Sequence, residues 1–131
     1  MKACTVEIVT FTRGKRSRFA SRGTFCGEAD GFTAVYPEDG DEARLELRGR
    51  SLSMERRGAC GLHVRFSKGE TGEFLIGLEN GSGSVPVHTE VCAPRRTRDG
   101  WRIALRYRML FADEIQIFRL NIAVNIITEE Q

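Results

Sequence analysis

A chain of 131 residues with 20 basic and 18 acidic side chains, formally +2 at pH 7, fits one domain spanning 1–131 with its own core. The near balance of charge argues against nucleic acid as partner and demands no anionic membrane, and nowhere do 18 apolar residues run together, so no membrane span is expected. Cys4, Cys26, Cys60 and Cys92 lie far apart without a Cys-x-x-Cys pair, and Glu7 interrupts the apolar start, which predicts reduced thiols in a cytoplasmic protein.

Apolar and polar residues alternate along almost every extended run. Ten strands are expected in order, over 3–11, 18–30, 32–37, 43–48, 51–57, 60–68, 72–79, 84–93, 101–110 and 115–128. Arg44-Leu45-Glu46-Leu47-Arg48 and Leu62-His63-Val64-Arg65-Phe66 show the period of two that buries one face and wets the other. Turns are marked by Asp30-Gly31, Gly49-Arg50, Gly58-Ala59, Lys68-Gly69-Glu70, Asn80-Gly81 and Asp99-Gly100. Connections this short force each strand to pair antiparallel with its predecessor. The fold class is therefore all-β, a single antiparallel up-and-down barrel of eight to ten strands.

The last strand carries an irregularity. Ile115 and Ile117 have one parity, Leu120, Ile122, Val124 and Ile126 the other. A β-bulge near Phe118-Arg119 is expected to bring both sets inside, the alternatives being burial on both faces or a strand shared with another subunit.

Several short patterns occur in a recognisable order. They are Gly23, Asp30-Gly31-Phe32, Tyr36-x-Glu38, Met54-x-Arg56-x-Gly58, Phe66, Val85-Pro86-Val87-His88-Thr89 and Ile103-x-Leu105-x-Tyr107. Over about residues 18–124 the chain resembles the YwiB-like family of bacterial proteins. The resemblance implies a calycin-type, lipocalin-like barrel and leaves the activity open. Leu78-Glu79-Asn80 stands where such proteins usually read Tyr-x-Thr, and Trp101 sits late in a chain that lacks the Gly-x-Trp of true lipocalins.

Parity places Tyr36, Glu38, Arg56, Thr89 and Tyr107 on the inner side, beside an apolar set that includes Phe19, Phe32, Leu45, Leu52, Met54, Val64, Phe66, Leu105 and Met109. An inward arginine and glutamate require each other, so Glu38 and Arg56 are expected in contact. These five residues form the candidate ligand end, where Arg56 would grip an anionic group of a small apolar or amphipathic ligand. The alternative is a filled barrel that meets a protein or RNA through two basic loops. One contains Arg13, Lys15, Arg16 and Arg18, the other Arg95, Arg96 and Arg98.

Nothing points to catalysis or to a cofactor. His63 and His88 face outward without ligand-spaced partners, so no metal site is expected. The acidic stretch Glu38-Asp39-Gly40-Asp41-Glu42 lacks the spacing of a calcium loop and reads as a solvated turn with Glu38 turned in. Cys60 is expected inside, Cys26 and Cys92 outside, and the assembly a monomer or homodimer.

Overall fold

The computed structural model describes residues 1–58, 61–78 and 81–128, the side chain of Leu78 excepted. The expected inward Cys60, together with Ala59, Glu79 and Asn80 of the expected turns and motifs, lies outside the described residues. Ten strands follow in sequence: β1 (Lys2–Thr12), β2 (Lys15–Glu28), β3 (Gly31–Glu38), β4 (Asp41–Arg48), β5 (Ser51–Arg57), β6 (Gly61–Phe66), β7 (Thr71–Leu78), β8 (Gly81–Thr97), β9 (Gly100–Leu110) and β10 (Ile115–Ile126). Each pairs antiparallel with its predecessor. β1 pairs with β10 from Cys4↔Ile126 to Phe11↔Arg119, which closes the barrel. Closure abolishes the sheet edges that would otherwise seek another chain.

Alternation decides what fills the interior. Phe32, Leu45, Leu47, Leu52, Val64, Phe66, Ile103, Leu105 and Ile122 are buried to within a few per cent. Aromatic rings pack across the interior: Phe66 on Tyr107 at 4.6 Å, Tyr107 on Phe118 at 5.2 Å, and Phe25 on Phe32 at 5.5 Å between centroids. Such pairs add about 0.5–1.5 kcal/mol each beyond their buried area.

Two expectations about parity are corrected. β10 runs without a bulge, in continuous register with β9 from Ile115↔Leu110 to Asn125↔Gly100. Phe118, Leu120, Ile122 and Val124 therefore face inward, while Ile115 and Ile117 face outward at 60% and 46% exposure. The irregularity sits in β8 instead, where Thr89 pairs with Tyr107 but Val91 pairs with Arg106, leaving Glu90 as the extra residue. Val85, Val87 and Thr89 point inward before it, Cys92 after it. Cys92 is thus a buried thiol, contrary to its expected outward position. The bulge comes just past Thr71↔His88, the last β7–β8 pair, and there the β6–β7 turn takes over the Thr89 backbone through Gly69 N–H···O=C Thr89 and Thr89 N–H···O=C Glu70.

Cys4, Cys26 and Cys92 are free, with Cys26 exposed and the other two buried. A thiol reagent is therefore expected to modify Cys26 in the native protein, and Cys4 and Cys92 only on unfolding, as read by mass mapping. Rapid native labelling of Cys92 would contradict the bulge.

Candidate functional site

The polar end of the interior is organised by one hairpin. Asp39 and Gly40 both take positive φ, 49° and 83°, the conformation of a tight two-residue turn whose twist suits flanking strands. That turn sets Glu38 directly opposite Asp41. Arg56, cross-strand from Ala43, reaches both carboxylates. Its Nε lies 3.0 Å from Asp41 Oδ2 and its Nη1 lies 3.7 Å from Glu38 Oε2. The expected Glu38–Arg56 contact is present, but Asp41 is the closer partner. The Asp41 hydrogen bond holds the guanidinium firmly in its charged form. Gly58 explains part of the Met54-x-Arg56-x-Gly58 pattern: it has φ +152°, and a Cβ there would overlap the Asp41 carboxylate.

Tyr36 is buried beside this cluster, with the Phe19 ring 5.7 Å from its own. Burial, and then the charge of Glu38, push its phenol above the ordinary tyrosine range, while Arg56 pulls the other way. Thr89 and Tyr107 are also buried and are register partners of each other. Burial alone raises the Tyr107 phenol. The five inward residues therefore form two groups, Tyr36–Glu38–Arg56 and Thr89–Tyr107, with no hydrogen bond, ion pair or ring stacking between them among the described residues. Asp41 was missed in the sequence because the acidic stretch reads as solvent-facing. The two-residue Asp39-Gly40 turn was the signal, since it sends residues 38 and 41 to the same face.

One guanidinium here faces two carboxylates, so an incoming anion would meet their negative charge beside Arg56. The side chains of Arg56, Glu38 and Asp41 remain 25%, 30% and 14% exposed. Arg56→Ala is accordingly expected to cost about 1–2 kcal/mol, less than the loss of a fully buried pair, because water reaches the carboxylates left behind. Arg56→Lys should recover part of that loss. Urea denaturation measures both, and a cost above that of a large core truncation would place the pair deeper than its exposure indicates.

The outer wall is divided by charge. On β4 to β6 opposite charges meet. Arg48 lies 2.9 Å from Glu46 and 3.5 Å from Glu28, and Arg57 bonds Glu55, holding that carboxyl below its usual range. On the other side, β2, β1, β10, β9 and β8 carry far more arginine than carboxylate. Glu7 takes Arg18 at 2.7 Å, and Glu90 faces Arg108 at 3.2 Å and Arg106 at 3.9 Å. Arg16, Arg22, Arg95, Arg102 and Arg119 have no carboxylate partner among the described residues; Arg119 lies over the Phe11 ring at 4.8 Å.

Contrary to the expectation of two basic loops, both clusters lie mostly in strands. β2 begins at Lys15 and β8 runs to Thr97, so only Arg13 and Arg98 remain in turns, at opposite ends of the barrel. Arg13 pairs with Glu114 at 2.6 Å. Arg16, Arg18 and Arg95 stand outward on the wall, whereas Arg96 lies 5.9 Å over the inward Trp101 ring. His63 and His88 face outward as expected, His88 Nδ1 sharing a 2.8 Å hydrogen bond with Thr71 Oγ1. No cluster of metal-ligating side chains occurs among the described residues, and no helix is long and apolar enough to cross a membrane.

A protein-family profile described as "Domain of unknown function (DUF1934)" matches residues 5–122. Among solved structures, the crystal structure of the YwiB protein from Bacillus subtilis matches with a TM-score of 0.81. It is 16% identical, over 97% of this chain and 93% of that one. At that identity the likeness concerns the fold. No curated protein matches the chain.

Proposed function

The chain belongs to the family of the domain of unknown function DUF1934, and from that premise we propose that it is a binding module that engages an anionic macromolecule with the arginine-rich wall of a filled barrel. The observation that carries this reading is the segregation of charge: in a chain of formal charge only +2, the adjoining strands β8, β9, β10, β1 and β2 carry nine arginines against three carboxylates. Phosphate and carboxylate groups match the guanidinium fork, and a field of one sign speeds encounter with a polyanion. The interior supports the same reading, because large side chains occupy it and Arg56 is already engaged by Asp41 and Glu38. Reduced thiols and a cytoplasmic setting belong to this reading.

Retention on immobilised heparin, released by rising salt, tests it. The double variant Arg22→Gln/Arg106→Gln should elute at clearly lower salt than wild type. Arg44→Gln/Arg65→Gln, the same charge change on the balanced wall, should elute close to wild type. Equal shifts for both would reduce the effect to net charge and sink the proposal.

A second reading has one observation in its favour. The inward-facing Phe19, Met54, Leu62, Phe74 and Phe118 are only partly buried. An apolar surface of that kind suits a small apolar or amphipathic molecule, with Tyr36 at its polar edge. Native mass spectrometry of freshly purified protein decides: a co-purifying small mass favours this reading, and bare protein disfavours it.

A further inference from the structure

We infer that the arginine-rich wall takes the backbone of an RNA duplex, an inference that rests on the anionic-partner reading above. Arg18 and Arg22 stand on the outward face of β2, and Arg102 and Arg106 on that of β9. Between these two rails run β1 and β10. In the rows of Arg22 and Arg18 their outward side chains are neutral, Thr5 opposite Asn125 and Val9 opposite Asn121, while the row of Arg106 holds Phe11 and Arg119 at one end of the floor. Glu7, opposite Ala123, has its charge taken up by Arg18.

Three strand spacings separate β2 from β9, about 14 Å. Hollows of about 380 and 620 Å³ lie side by side along this floor and share Glu7, Arg102 and Ala123. The result is a shallow trough with cationic rims and a floor of small hydrogen-bonding groups.

The shape of the trough selects among polyanions. An acidic amphipathic helix docks through apolar anchors, and this floor offers alanine, asparagine and threonine with Val9 already buried. A single strand gains its affinity by stacking bases on aromatic faces, and Phe11, the aromatic on this wall, lies under Arg119. B-form DNA has a minor groove of about 6 Å, much narrower than the spacing of the rails. Its major groove, about 8.5 Å deep, needs a projecting element, which a flat sheet lacks. A-form RNA presents a wide, shallow minor groove edged by phosphates and lined with 2′-hydroxyls. Rails of guanidinium meet the two backbones, and Asn121, Asn125 and Thr5 face the hydroxyls. The contacts read shape and the 2′-hydroxyl, so binding is indifferent to sequence.

Fluorescence anisotropy with the full chain and three nucleic-acid probes, with polyglutamate as a fourth polyanion, tests the inference: an RNA duplex of about 20 base pairs, the DNA duplex of the same sequence, and the single RNA strand. The RNA duplex is expected to bind at least about tenfold more tightly than either of the others. Its log–log salt slope should be shallower by about 1 on neutralising Arg22 or Arg102, the rail arginines without a carboxylate partner among the described residues. Asn121→Ala should narrow the gap between RNA and DNA duplexes while leaving the salt slope unchanged. Equal binding of the DNA duplex, tighter binding of the single strand, or tighter binding of polyglutamate overturns the RNA inference and leaves the anionic-partner reading standing. No salt-sensitive binding to any of these polyanions overturns both.

Discussion

Truncating Phe66 to alanine is expected to lower the unfolding free energy by about 3–5 kcal/mol. Phe66 is fully buried, pairs through β6 with Leu52, and meets the Tyr107 ring at 4.6 Å. Removing it deletes the transfer energy of a ring and leaves a void that a closed barrel wall cannot collapse to fill. Tyr107, stacked on Phe118 behind it, loses a packing partner as well. Denaturation followed by the fluorescence of Trp101, the single tryptophan, measures the loss. Phe11→Ala on the outer wall is the control, and there the loss should stay near the 0.5–1 kcal/mol of an exposed cation–π contact. Similar losses for the two would mean that the interior is not packed across at Phe66.

Stability is expected to fall steeply in alkali. The chain has two tyrosines, and burial holds both phenols above the ordinary range. The unfolded chain releases these protons near pH 10, while the folded chain keeps them. The contribution of the phenols is therefore intact below pH 10 and is lost as pH rises beyond it, by about 1.4 kcal/mol per pH unit for each phenol. Burial raises the Cys4 and Cys92 thiols too, which adds a loss of the same sign from about pH 8.5. Phenolate absorbance should appear together with unfolding in a pH titration, and Tyr36→Phe should remove about half of the tyrosine contribution. A phenolate signal with a midpoint near pH 10 in protein that is still folded would mean that water reaches the rings.

Much of the candidate polar end could be read from parity, because a side chain's face in a strand follows from its position alone. Tyr36, Thr89 and Tyr107 are buried for that reason. Glu38 and Arg56 make the expected contact, at 3.7 Å. Asp41 could not be read in the same way, since an aspartate in an acidic turn is solvated unless a neighbouring strand carries a cation to it. Cys92 was misplaced because a bulge inverts every face after it and leaves no composition signal. Ile115 and Ile117 were misplaced by the assumption that isoleucine must be covered; here they are exposed.

Local alternation and short turns determined ten strands, their antiparallel order and most of the filling of the barrel, since both act within a few residues of chain. Tertiary structure alone decided where charge accumulates. Closure sets β2, β1, β10 and β9 side by side, and so gathers onto one wall arginines that lie from residue 16 to residue 119 of the chain. A nearly balanced total carries no trace of that segregation, because the sum of charges is blind to the distances between them.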